Sequence, residues 1–142
     1  MFILDTNVLS ELRRPERADA NVVRWADGIP AVQFFLSAIS LLEIERGVLQ
    51  IERRDARQGQ VLRRWVDEQI LVRFDTRVLP VDTAVAIRCA RLHIPDPRSE
   101  RDALIAATAL VHGMTVVTRN VGDFAATGVA LLNPWQLERG DS

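Results

Sequence analysis

Short apolar runs alternate with longer amphipathic stretches from one end of the chain to the other. Phe2-Ile3-Leu4 reads as a strand, and Val8 to Leu12 shows a helical pattern closed by Pro15. A strand-to-helix switch is therefore expected at Asp5 or Thr6, either of which can cap. Glu16 to Asp27, with Val22, Val23 and Trp25, predicts a second helix ending at Gly28 and Pro30. Val32 to Leu36 reads as a buried strand, and Ser37 or Ser40 then starts a long helix to about Arg54. Gln58 to Phe74 predicts another helix, with Val61, Leu62, Trp65, Val66 and Ile70 on its apolar side.

Val78-Leu79-Pro80-Val81 is a short strand candidate, and Asp82 caps a helix from Thr83 to His93, broken by Pro95 and Pro97. Ser99 starts the most apolar helix, Ala103 to Val111, which stops at Gly113. Thr115 to Thr118 and Val129 to Leu132 are the last strands, the second ended by Asn133-Pro134-Trp135. Strands separated by one or two helices imply right-handed crossovers, so the expected fold class is α/β, a mostly parallel sheet with helices on both faces. Residues 1–142 read as one domain, with a core over about 2–135 and a frayed tail at Gly140-Asp141-Ser142.

Composition narrows the chemistry more than the fold. The 142 residues carry 18 basic and 19 acidic side chains, a formal charge of −1, at a mean hydropathy of +0.03. That total advertises neither a nucleic-acid nor a membrane partner. Every basic residue is arginine, because the sequence contains no lysine. A Walker A phosphate loop and Schiff-base chemistry are thereby excluded. The lone Cys89 excludes an internal disulfide and a cysteine-rich zinc site, and it fits a reducing cytoplasm. Four apolar residues before Asp5 are too few for a signal-peptide core, and no run approaches the ~20 needed to span a bilayer. A cytoplasmic protein is expected. Carboxylates and hydroxyls remain as the chemical groups.

In an open parallel sheet, ligands bind at the carboxyl ends of the strands. Asp5, Asp102 and Asp123 fall at that edge, with Thr6, Asn7, Thr118 and Asn120 beside them. Carboxylates gathered there repel one another unless a cation sits between them, and hard oxygen ligands suit Mg²⁺ or Mn²⁺. Each acid also has a plain structural role open to it. Asp5 can cap a helix, Asp102 completes the capping-box template begun at Ser99, and Asp123 after Gly122 suits a turn. In the helix after Ser40, Leu41, Ile44, Val48 and Ile51 form the apolar stripe, with Glu45 near it. Periodicity places Glu43 on the opposite side with Gly47, facing solvent. His93 and His112 each end an apolar helix, where capping or surface roles are expected. Trp25, Trp65 and Trp135 are expected in the core or at an interface.

Four segments in order then resemble one family. Leu4-Asp5-Thr6-Asn7-Val8-Leu9-Ser10-Glu11 resembles the opening of PIN-domain proteins, in particular VapC-type toxins of the FitB-like branch. Ser37 to Ser40 with Glu43 and Gly47 resembles that branch's second motif, Asp102 to Ala109 its third, and Val117-Thr118-Arg119-Asn120 with Asp123-Phe124 its fourth. Asn133-Pro134-Trp135 resembles the usual ending. The resemblance implies a three-layer α/β/α sandwich whose acids hold Mg²⁺ or Mn²⁺ and cleave RNA. Asp5, Glu43 and Asp102 match the core acidic triad, which turns the Gly47 side of its helix toward the cleft and overrules the periodicity. A fourth acidic position falls at Asn120, where this sequence departs from the pattern, and Asp123 is the available substitute.

The resemblance further implies that Thr6 and Thr118 orient the carboxylates, supported by Asn7. Arg119, near the cleft, is the residue expected to contact substrate phosphate. The implied partners are a cognate antitoxin that blocks the cleft and a second copy in a homodimer. The helices around Trp25 and Trp65, with Val61, Leu62 and Val66, are candidate interface surfaces, with core packing the default. Two rivals stand beside this expectation. One is a binding module with the same fold and no activity. The other is a small-molecule phosphohydrolase of the haloacid-dehalogenase kind, disfavoured because Asn7 stands where that class needs a second Asp and no lysine exists.

Overall fold

The computed structural model describes residues 1–137, so the frayed tail expected at Gly140 to Ser142 lies outside the described residues. Five strands form one parallel sheet in the order β3-β2-β1-β4-β5. They are β1 (Phe2–Leu4), β2 (Phe34–Ser37), β3 (Val78–Leu79), β4 (Thr115–Val117) and β5 (Leu131–Leu132). Seven α-helices are described: α1 (Thr6–Leu12), α2 (Ala20–Asp27), α3 (Ala38–Arg54), α4 (Ala56–Trp65), α5 (Thr83–Leu92), α6 (Glu100–His112) and α7 (Val121–Phe124).

Alternation along the strands builds the layers. Leu4 and Val117 point to one face, where they meet Val8, Leu9, Trp25, Ile44, Val48, Val66, Ile70 and Phe74. Ile3 and Val116 point to the other, against Ile105, Ala106, Ala109, Met114 and Phe124. Val85 and Cys89 of α5 clamp Ala103 and Ala107 of α6 from outside. The expected sandwich, with an all-parallel sheet at its centre, is therefore observed.

Several boundaries move for local reasons. The helix expected from Glu16 begins at Ala20, because the Asp19 carboxylate accepts hydrogen bonds from the Asn21 and Val22 amides and caps it there. Pro15–Arg17 is a separate 3₁₀ turn. The strand expected from Val32 starts at Phe34, after a 3₁₀ turn over Ala31–Gln33. Of the two serines, Ser37 caps α3 through the Ile39 amide. The helix expected over Gln58 to Phe74 starts earlier, capped by Asp55, and passes at Val66–Ile70 into a π-helical turn. The strand expected over Val129 to Leu132 shortens to its last two residues. Asp123, expected in a loop, lies in the four-residue α7. Of the interface candidates, Trp25 and Val66 are buried, Leu62 and Trp65 pack on the core, and Val61 alone is exposed.

Helices α3 and α4 approach closely at Gly59. A Cβ built there would lie 2.6 Å from both Cα and Cγ of Glu52. Arg63 of α4 reinforces the same contact by bonding Glu45 and Glu52 of α3. Gly59→Ala is therefore expected to cost ~1–3 kcal/mol by forcing the helices apart. Gly47→Ala in α3, with open space at its Cβ, is expected to be neutral or stabilising. Urea midpoints of the two variants check the contrast.

Candidate active site

The strand order reverses between β1 and β4, so the sheet opens a crevice at the carboxyl ends of those two strands. Asp5 is the first residue past β1 and Thr118 the first past β4, and the Asp5 amide donates to the Val117 carbonyl at 2.9 Å. Asp5 is fully buried. Its Oδ2 accepts from the Thr118 hydroxyl at 2.8 Å and, at 3.5 Å, from Asn7 Nδ2. Its Oδ1 accepts from the Thr6 amide at 2.8 Å, so capping α1 and joining the site are roles of one carboxylate. Thr118 Oγ1 also accepts from Asn7 Nδ2 at 3.3 Å and from the Asn120 amide at 3.0 Å. These donors fix the orientation of Asp5 from several sides.

Glu43 reaches the same place from α3. Its Oε1 accepts from the Thr6 hydroxyl at 2.9 Å, and its side chain is 22% exposed, which corrects the solvent-facing position that periodicity gave. The correction has a simple cause. Helix α3 is covered on one side by α4, which Glu45 faces through Arg63, and on another by α1 and α6, which Glu43 faces. A single-stripe pattern cannot describe a helix buried on two sides. Asp102 arrives from the first turn of α6. Ser99 Oγ accepts from its amide at a long 3.5 Å, but its carboxylate points to the acidic cluster, so only half a capping box forms.

One residue at the centre was not anticipated. The Arg101 guanidinium bonds Asp5 Oδ1 through Nη2 at 2.5 Å, Glu43 Oε2 through Nε at 2.7 Å and Asp102 Oδ1 through Nη1 at 2.8 Å. Burial pushes the Glu43 carboxyl up, but the bonds from Arg101 and Thr6 and the charges of Arg101 and Arg46 outweigh it, holding it below the usual carboxylate range. Burial likewise opposes the charge on Arg101, and its acidic partners outweigh that and raise its basicity further. The sequence carries no local signal for Arg101, because several other arginines also stand beside an acid.

The cleft above the cluster has a volume of about 510 Å³ and is lined by Thr6, Asn7, Glu43, Arg101, Arg119 and Asn120 among others. The Arg119 guanidinium lies 5.2 Å from the centre of the Trp135 ring, and its amide donates to Asn7 Oδ1 at 3.4 Å. The structure thus brings together Asp5, Glu43, Asp102, Thr6, Asn7 and Thr118, with Arg119 and Asn120 at the rim. It does not bring Asp123, whose exposed carboxylate forms no hydrogen bond with a described residue.

A second group of possible ligands lies apart from this cleft. Cys89, His93 and Glu100 place a ligand atom each within 4.8 Å of one another. His93 Nδ1 accepts the Arg98 amide at 3.1 Å, which leaves the neutral ring's proton on Nε2, facing Glu100 at 3.3 Å. A metal-bound histidine ligates through one bare ring nitrogen and donates from the other, whereas here Nδ1 is taken up by the Arg98 amide and Nε2 faces Glu100. Burial, with Glu100 beside it, pushes the Cys89 thiol up to about 11. The trio fits a clasp between α5 and α6 rather than a metal site. His112, also at a helix end, is exposed.

The parallel sheet and the carboxylates gathered at its switch point define an α/β/α protein with an acidic cluster at one edge. The chain belongs to the PIN-domain family, whose profile matches residues 2–129. It is 37% identical over 140 residues to Toxin FitB of Neisseria gonorrhoeae, covering 95% of this chain and 99% of FitB. It is 33% identical over 141 residues to VapC ribonuclease Y4jK of Sinorhizobium fredii, covering 96% of this chain and 99% of that protein. Its fold superposes on the crystal structure of FitAcB from Neisseria gonorrhoeae with a TM-score of 0.87 at 37% identity, covering 96% of this chain and 100% of the other. Among the described residues, no helix is long and apolar enough to cross a membrane.

Proposed function

We propose that this protein is an endoribonuclease that uses Mg²⁺ or Mn²⁺, and the toxin of a type II toxin–antitoxin pair. The observation that carries this is the convergence of Asp5, Glu43 and Asp102, from three separate elements, on a single cationic group. That donor set, all carboxylate oxygen, fits a hard divalent ion. The names of FitB as a toxin and of Y4jK as a ribonuclease support the same activity.

A phosphodiester is an anion, and uncompensated carboxylates would repel it. When bound, the divalent ion supplies the opposing charge and lowers the pKa of water at the site. The side chains do the rest. Thr118, Asn7 and the Thr6 amide hold Asp5 in one orientation, while the Thr6 hydroxyl holds Glu43 Oε1 and turns Oε2, which Arg101 binds, toward the centre, where it would ligate the ion or take the proton of attacking water. Arg119 offers a planar fork to substrate phosphate at the rim. Asn120 lines the cleft as a neutral group, and Asp123 is not part of its lining.

The partners in this reading are RNA, a cognate antitoxin that closes the cleft, and a second copy in a homodimer or a hetero-oligomer with antitoxin. The test uses metal-stripped protein and total RNA, with fragment ends mapped. Cleavage at defined sites is expected on adding Mg²⁺ or Mn²⁺ and is expected to stop with chelator. Cleavage indifferent to chelator contradicts the metal, and no cleavage of any RNA favours the silent binding module.

A further inference from the structure

We propose that Arg101 is the resident counter-cation of the site, occupying the carboxylate oxygens that a divalent ion needs and yielding them when the ion loads. The inference deepens the function proposed above and rests on it. Its basis is the allocation of oxygens. Asp5 Oδ2 is bound by Thr118 and Asn7, and Glu43 Oε1 is bound by Thr6. These donors come from the protein's own rigid edge, on α1 and just past β4. The oxygens turned toward a common centre are Asp5 Oδ1, Glu43 Oε2 and Asp102 Oδ1, and Arg101 holds all of them.

The geometry of exposure agrees. The Asp5 side chain is 1% exposed and that of Arg101 32%, and Arg101 lines the cleft where Asp5 does not. Access from the cleft to Asp5 therefore runs past the guanidinium. Two cations drawn to one set of oxygens also repel each other, so seating of Arg101 and binding of the ion are mutually exclusive. Arg101 serves as a positioning residue. It neutralises the three carboxylates until the ion takes its place, while Thr6, Asn7 and Thr118 hold Asp5 and Glu43 in orientation. The guanidinium keeps its charge, so while the carboxylates are ionised it gives way by exchange for another cation.

The experiment measures Mn²⁺ binding by titration calorimetry, without RNA, on the wild-type chain, Arg101→Gln and Arg101→Lys. Removing a cationic competitor is expected to tighten Mn²⁺ binding by about tenfold or more in Arg101→Gln. Arg101→Lys keeps the charge but loses the fork, so a smaller gain is expected. The lysine variant also carries the test should the glutamine variant fail to fold. A residue with a purely structural role would leave affinity unchanged or weaken it on replacement. Equal or weaker binding in the folded variants overturns the proposal while leaving the metal site standing. No Mn²⁺ binding by any of the proteins overturns both.

Discussion

Asp5→Asn is expected to lower the rate of RNA cleavage by at least about a hundredfold with the fold retained, since loss of outer-shell partners alone costs 10–100-fold at metal sites. Asparagine matches aspartate in shape and caps helices as well, so α1 keeps its N-terminus. What it lacks is the charge. Asp5 is the most deeply buried of the cluster's acids, and the end of β4 holds it twice: its amide donates to the Val117 carbonyl and its carboxylate accepts from the Thr118 hydroxyl. An amide there turns one of its two polar atoms from acceptor to donor, facing Thr118 and Asn7 or Arg101, which are donors already. Cleavage rates with saturating Mg²⁺, read beside thermal melting, separate lost chemistry from lost structure. A rate near wild type would remove Asp5 from the mechanism.

Phe124→Ala is expected to be the most damaging single truncation for stability, at ~3–5 kcal/mol. Phe124 is the largest fully buried side chain, packed among Ile3, Ile105, Ala106, Ala109, Met114, Val116 and Val129. Two of those neighbours are alanines on a rigid helix, so little can move in to fill the void. A domain is stable by only ~5–15 kcal/mol, which places the variant close to unfolding at moderate temperature. Phe124 also fixes α7, immediately after the Thr118 to Asn120 edge of the cleft. Urea midpoints measure the cost, and a value below ~1 kcal/mol would mean that the pocket collapses freely around the missing ring.

The sheet was legible because a parallel sheet is covered on both faces, fully at the centre and partly at the β3 and β5 edges, so each strand reads as an apolar run between helical stretches. Asp5 was legible for a related reason: an acid directly after such a run must sit at the carboxyl edge. The helix boundaries were less so, because they depend on which polar residue the backbone adopts as cap. Asp19 and Asp55 took that role ahead of the positions that pattern suggested. Glu43 was invisible to periodicity and visible to family resemblance, since α3 is buried on two sides and a single stripe describes only one. Arg101 was invisible to both. Its reach to Asp5 spans 96 positions of sequence, and nothing local distinguishes it from the other arginines.

The proposed activity requires that Asp5, Glu43 and Asp102 together hold a divalent ion at which RNA is cleaved. The most direct measurement compares wild-type protein with Asp102→Asn on the same RNA, each stripped of metal and then supplied with Mn²⁺. Cleavage by the wild-type protein is expected only after the ion is added, and little or none by Asp102→Asn at any Mn²⁺ concentration. Equal rates for the two proteins, or cleavage that persists without the ion, would contradict it.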